Sequence, residues 1–264
     1  MTPILMLGAG RMGGALIEGW LRAGAFAATD LIIRDPFPSE IALAAARDGA
    51  QLNPADDALA QAQTILLAVK PQLWRQTALE VTHLLSSDAI LVSVAAGVSS
   101  ADISAAFGGL RVARVMPTTA AAIGMGVASL FASTPEALAR AHRLFDPVGT
   151  VVDLDDEDLL HAATGVSGSS PAYFYAFVEA LESAGVAAGL PPEAAKKLAR
   201  STMAGAAALM SASGTEPSEL RQQVTSPNGT TAAALEVLMA DHGLGLLLRQ
   251  AVAAATQRSR ELGG

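Results

Sequence analysis

Three glycines, Gly8, Gly10 and Gly13 in the run LMLGAGRMGGAL, restrict the fold more than any other feature. They follow an apolar run over 3–7 and precede a helix-compatible run over 12–23. At a strand-to-helix turn, the first glycine allows a sharp reversal, the second lets backbone approach a pyrophosphate, and the third packs helix on strand. The free N–H groups of the helix start then face the phosphates. In that context the pattern predicts dinucleotide binding by Gly8, Ala9, Gly10, Arg11, Met12 and Gly13.

The chain that follows reads as a doubly wound α/β domain. Runs over 31–33, 64–69, 89–95, 111–116, 125–131 and 149–152 have strand character, and helical stretches over 39–48, 73–85 and 135–145 separate several of them. Runs apolar on both faces point to parallel strands covered by helices. Beyond about 152 the strand signal ends. Pro171 fits a first helical position, and further helices are expected after Pro191 and Pro192 and over 217–223, 230–241 and 244–261. The expected organisation is α/β, with a Rossmann-type dinucleotide-binding domain over 1–153 and an all-helical domain over 154–264. Ala184, Gly185, Ala187, Ala188 and Gly189 suit close helix packing, inside that domain or between copies.

Composition narrows the function. A net charge of −8, with 17 scattered Lys and Arg, argues against nucleic acid as partner. With no Cys there is no disulfide, thiolate site or cysteine nucleophile, which agrees with a reducing cytoplasm. His83, His142, His161 and His242 share no ligand spacing, so no metal is expected. The longest uncharged stretch, 115–135, is broken by Pro117, Gly124 and Gly126, and the N-terminus lacks the basic start of a signal peptide. No membrane span is expected. The charged fraction of 16% fits burial against further copies, and equally an alanine-rich coding bias.

The second strand leads into Arg34 and Asp35. An acid at this distance from the glycines accepts from a ribose 2′-OH, whereas an Arg favours a 2′-phosphate. Successive strand residues point opposite ways, and the sequence leaves the choice between NADH and NADPH open. Lys70 and Pro71 close the central strand, at the carboxyl edge where ligands of open α/β sheets collect.

Two polar runs lie outside the first domain. SPNGTT, with Ser226, Asn228, Gly229, Thr230 and Thr231, precedes an alanine-rich helix and offers more polar groups than an N-cap requires. Free N–H groups and the Ser226, Thr230 and Thr231 hydroxyls are expected to hold a carboxylate there. The run before Pro171 presents Thr164, Ser167, Gly168 and Ser169 at another helix start. Neither run supplies a strong acid or base. The acidic residues Asp155, Asp156, Glu157 and Asp158 read as helix-start charges.

The glycine fingerprint, AVKPQ (68–72), SVAAGV (93–98), RVMPTT (114–119), GVSGSSPAY (165–173) and SPNGTT (226–231) together resemble the pyrroline-5-carboxylate reductase family, in order and over nearly the whole chain. The resemblance implies reduction of a ring imine to L-proline by a reduced nicotinamide, usually NADPH, with NADH as alternative. It implies a helical dimerisation domain, a homodimer or higher assembly of dimers, and a site between cofactor and helical domains. It adds Ala68, Val69, Lys70, Pro71, Ala95, Met116, Pro117 and Thr118 as cofactor contacts, and gives the 165–173 run a part in closing the site.

Thr118 and Ala120 stand where the family usually has Asn and Pro, and Asn228 where it commonly has Gly; Thr118 places the positioning of the nicotinamide carboxamide most in question. A cyclic imine is basic enough to be substantially protonated near neutral pH. The Thr231 hydroxyl is therefore expected to bond the ring nitrogen and relay its proton, with catalysis chiefly positional. The alternatives are another imine reductase, a β-hydroxyacid-type dehydrogenase, or a nicotinamide-binding sensor without catalysis. The Gly-x-x-Gly-x-x-x-Lys setting of β-hydroxyacid dehydrogenases is not found around Lys196 and Lys197.

Overall fold

A computed structural model describes residues 1–262; positions 263 and 264, the end of the expected helical domain, lie outside the described residues. The chain divides into two compact units, Met1–Gly168 with the chain from Ala253 onward, and Ser169–Val252. This division falls later than residue 153 because helix α6 (Leu159–Ala163) and the turn after it pack on the first unit's sheet.

That sheet has eight strands: β1 (Ile4–Leu7), β2 (Leu31–Arg34), β3 (Gln51–Leu52), β4 (Thr64–Leu67), β5 (Ile90–Ser93), β6 (Arg111–Pro117), β7 (Gly126–Ala132) and β8 (Gly149–Asp153). Their order is β3-β2-β1-β4-β5-β6-β7-β8. The first six run parallel, β7 is antiparallel to β6, and β8 is parallel to β7. Alternation along β1 divides the core: Ile4 and Met6 join Trp20 and Phe145 on one face, while Leu5 and Leu7 join Trp74 and Phe107 on the other. Both faces are thus buried, which is why the strands read as unbroken apolar runs.

Helices α1 (Arg11–Ala23), α2 (Glu40–Arg47), α3 (Trp74–Val81), α4 (Ser100–Ala106) and α5 (Pro135–Phe145) complete this unit with α6. The sequence reading omitted β3 and α4, and gave α6 only as a helix start marked by the acidic run at 155–158. Each is short, and α4 opens on Ser99, whose hydroxyl accepts from Asp102 N, so local capping defines it more than an apolar stripe does.

The acidic run departs from expectation at Glu157. Its carboxylate pairs with Arg114 at 2.8 Å and accepts from Ser100 N at 2.6 Å and Ser100 Oγ at 2.7 Å. Burial pushes the Glu157 carboxyl up, but the Arg114 and Ser100 bonds outweigh it and hold it below its ordinary value. Arg114 retains 5% side-chain exposure and Glu157 24%. Substituting Glu157→Gln should therefore cost about 3 kcal/mol in urea unfolding near neutral pH, the lower end for a broken buried pair because Glu157 is partly exposed. A folded pKa below the unfolded one gives stability present above the unfolded value and lost as pH falls through the folded value. The deficit of the variant should accordingly shrink in acid, and a deficit independent of pH would contradict the pairing.

The second unit contains α7 (Ser170–Ala187), α8 (Pro192–Ser213), α9 (Pro217–Gln223), α10 (Thr230–Leu238) and the first half of α11 (Leu244–Glu261). Gly185 admits α8 closely, since a Cβ there would lie 3.2 Å from the Ala195 Cβ. Of the small-residue stretch, Gly185 serves packing within the unit, while Ala184, Ala187, Ala188 and Gly189 stay exposed. Arg200 pairs with Glu182 at 2.7 Å, linking α7 and α8. Ala195 and Ala199 are the buried apolar residues of this unit among those described, while Phe174, Tyr175, Val237 and Leu247 are 58%, 68%, 74% and 57% exposed. Such helices bury too little to hold together alone.

Candidate active site

The glycine turn explains itself sterically. Gly8 has φ +90°, and a Cβ there would lie 2.9 Å from backbone atoms of Ala68 and Val69. A Cβ at Gly13 would meet Gly8 O at 2.5 Å. Gly10 differs from both: a Cβ would meet nothing within 4 Å, so its backbone faces open space. Helix α1 begins there without a side-chain cap. Uncapped N–H groups beside a bare backbone fit a pyrophosphate. A cleft of about 440 Å³ bordered by Gly10, Arg11, Ser39, Thr119 and Ala122 runs along this helix start.

The two side chains at the end of β2 point to different partners. Asp35 is buried and its carboxylate accepts from Ala9 N at 2.6 Å and Phe37 N at 2.8 Å. Arg34 turns away, donating to Pro54 O at 3.1 Å and pairing with Asp56 at 3.2 Å. Asn53, which the sequence reading missed, holds the Asp35 backbone through both its amide N–H and its own side-chain oxygen. Asn53 has φ +46° and precedes Pro54, the turn signal that would have marked it.

The remaining expected cofactor contacts lie at carboxyl ends of neighbouring strands. Ala68 and Val69 leave β4 half-buried, exposed Lys70 precedes the helical turn from Pro71, and buried Ala95 donates its N–H to Ser93 Oγ. Met116 and Pro117 end β6. Buried Thr118 donates its N–H to Val127 O and accepts from Val127 N through Oγ1, both at 3.0 Å, so its side chain extends the β6–β7 ladder.

Residues 164–168 form a π-helical turn, not the loop expected before Pro171. The Thr164 hydroxyl donates to Leu160 O at 2.7 Å and the Ser167 hydroxyl to Ala163 O at 2.9 Å. Both protons are engaged by the helix. Gly168 lies against Met116, since a Cβ would approach the Met116 side chain to 3.3 Å. Ser169 follows as the residue preceding α7.

Within the second unit, Ser226–Thr231 forms the entry to α10. Asn228 has φ +57°, a conformation Asn tolerates, and Gly229 sits at the N-cap with no side chain capping the helix. Gly229 N donates to Ser226 O at 3.0 Å. Ser226 and Thr230 are exposed and Thr231 half-buried. The helix start presents backbone donors and hydroxyls together, an arrangement suited to a carboxylate.

Among the described residues, no group of three or more His, Asp or Glu is placed to hold a metal ion, and no helix is long and apolar enough to cross a membrane. His142 lies between Asp146 and Asp153 at 2.9 Å each, and His161 meets Ser259 at 2.9 Å.

Known proteins resemble this chain throughout. Residues 157–262 match the family described as pyrroline-5-carboxylate reductase dimerisation, and residues 3–97 the family described as NADP oxidoreductase coenzyme F420-dependent. The pyrroline-5-carboxylate reductase of Pseudomonas aeruginosa is 40% identical over 99% of this chain and 97% of that protein. A solved pyrroline-5-carboxylate reductase from Coxiella burnetii superposes with a TM-score of 0.89 at 28% identity, covering 100% of this chain and 99% of that one. A Plasmodium falciparum pyrroline carboxylate reductase solved with NADP bound gives 0.85 at 25% identity, covering 100% and 98%. Near-complete coverage at this identity, on a matching fold, shows that the chain belongs to the pyrroline-5-carboxylate reductase family.

Proposed function

We propose that this protein reduces 1-pyrroline-5-carboxylate to L-proline, with NADPH as reductant and NADH as a second one. Family membership sets the reaction class, and the observation that carries the site is the uncapped, hydroxyl-lined start of α10 at Ser226–Thr231. When bound, the reduced nicotinamide supplies the hydride.

The chain's own residues bind and orient. In this reading Gly10 and the N–H groups of Arg11, Met12 and Gly13 hold the pyrophosphate. The NADP-bound Plasmodium relative supports NADPH. Asp35 is compatible with it, because two backbone N–H groups compensate its charge beside the glycine turn. Thr118, the π-helical turn with Thr164, Ser167 and Gly168, and Ser169 after it border the nicotinamide and ring. Ser226, Asn228, Gly229 and Thr230 receive the substrate carboxylate, whose charge the helix start stabilises.

Thr231 accepts a hydrogen bond from the iminium N–H through its hydroxyl oxygen and so orients the ring. No acid of matched pKa is required, because the substrate enters already protonated. Thr231→Ala should lower kcat about a hundredfold with little change in cofactor KM, and Thr231→Ser should restore most of it. Unchanged turnover in Thr231→Ala would remove this role.

The exposed apolar helices of the second unit support a homodimer as the working form, or a larger assembly of dimers. A cytoplasmic location accompanies the proposed biosynthetic role and suits a chain without Cys.

A further inference from the structure

A second cleft, of about 590 Å³, opens at the sheet edge away from the glycine turn, with Asp88, Arg111, Glu136, Arg140, His142 and Arg143 on its walls. Ile90 and Arg111 begin β5 and β6, so the cleft lies at the amino ends of parallel strands whose carboxyl ends border the cofactor turn. A four-residue strand spans about 13 Å, so one small ligand does not reach both places.

The charges there are unbalanced. Arg140 Nη1 donates to Gln63 O and Thr64 Oγ1, each at 2.5 Å, and Arg111 Nη2 donates to Asp88 O at 2.8 Å. Among the described residues no carboxylate pairs with Arg111, Arg140 or Arg143. Asp146 and Asp153 hold His142, and Glu136 bonds its own amide and Thr134 while feeling the Arg111 charge. Burial, then the charges of Arg143 and Arg111, push the Arg140 guanidinium below its ordinary value. In a chain of net charge −8, three neighbouring arginines that form no close ion pair, with Asp88 and Glu136 as the acids on the same walls, leave the cleft with one more positive than negative group.

We propose that this cleft binds a compact polyanion carrying adjacent phosphate groups, with Arg111, Arg140 and Arg143 as donors. Planar guanidiniums anchored by one nitrogen leave further N–H groups to fork onto phosphate oxygens. Asp88 and Glu136 share the rim, so a singly charged anion gains too little against them. The ligand's source is either a free oligophosphate or a nucleotide.

Calorimetric titration of the full chain with inorganic diphosphate, at fixed ionic strength and with saturating NADP, tests this directly. One saturable site is expected, weakened about tenfold or more by Arg143→Ala and by Arg111→Gln, with catalytic KM values unchanged. Arg143 is exposed and unpaired, so its removal leaves folding intact, which an unchanged Tm confirms. ATP binding more tightly than diphosphate would identify a nucleotide, and equal binding a site that reads phosphate alone. No saturable binding, binding unaltered in both variants, or an equal response to chloride overturns the proposal. The arginine variants locate the site independently of whether the cofactor reading holds.

Discussion

Replacing Phe174 and Val237 with Asp yields a monomer without activity whose helical unit no longer stays folded. These side chains are 58% and 74% exposed in the single chain, on α7 and α10, in a unit whose buried apolar residues among those described are Ala195 and Ala199. The match of residues 157–262 to a dimerisation family points to a second copy as the missing cover, in which case an Asp at these positions is buried without a partner. Each such charge costs roughly 3 kcal/mol and a dimer carries both twice, which removes association at any practical concentration. Leu79 provides the control: it is 79% exposed on α3 of the first unit, and Leu79→Asp should leave both dimer and activity intact. Sedimentation with hydrogen exchange of α7 to α10 checks both variants. A double variant that remains dimeric and protected contradicts the account of this unit.

The second large effect separates two glycines of one motif. Gly8→Val places a branched side chain at φ +90° against the Ala68 and Val69 backbone, so it should lower Tm and abolish cofactor binding together. Gly10→Val meets open space in the protein alone and should leave Tm nearly unchanged. It nevertheless fills the room needed by a pyrophosphate, and cofactor affinity should fall at least about a hundredfold. Thermal unfolding paired with cofactor titration distinguishes them. Equal loss of Tm in both variants would mean that Gly10 serves the fold and not the ligand.

Much of this was legible because periodicity and glycine chemistry are local. The doubly wound sheet followed from runs apolar on both faces, and the start of α10 from a polar cluster preceding an alanine-rich run. What escaped depends on partners far along the chain. Glu157 reads as one surface acid among four, yet Arg114 and Ser100, 43 and 57 residues away, take its carboxylate into the first unit. The directions of the Arg34 and Asp35 side chains were hidden because they depend on Asp56 and Ala9 N, partners that the strand itself does not name. The π-helical turn at 164–168 was hidden because Gly and Ser residues before a proline also describe a loop. Thr118, which departs from the family's Asn, uses its hydroxyl to accept from Val127 N within the β6–β7 ladder, a contact 9 residues away that the sequence does not announce.

The sensor reading and the reductase reading bind the same cofactor, so binding alone does not separate them. The deciding measurement gives the purified protein 1-pyrroline-5-carboxylate with NADPH deuterated at the transferable position, and analyses cofactor and product together. The account predicts substrate-dependent oxidation of one NADPH per L-proline formed, with the deuterium on the ring carbon that was the imine carbon. NADPH binding without substrate-dependent oxidation would contradict it and leave a nicotinamide-binding protein that does not reduce the imine.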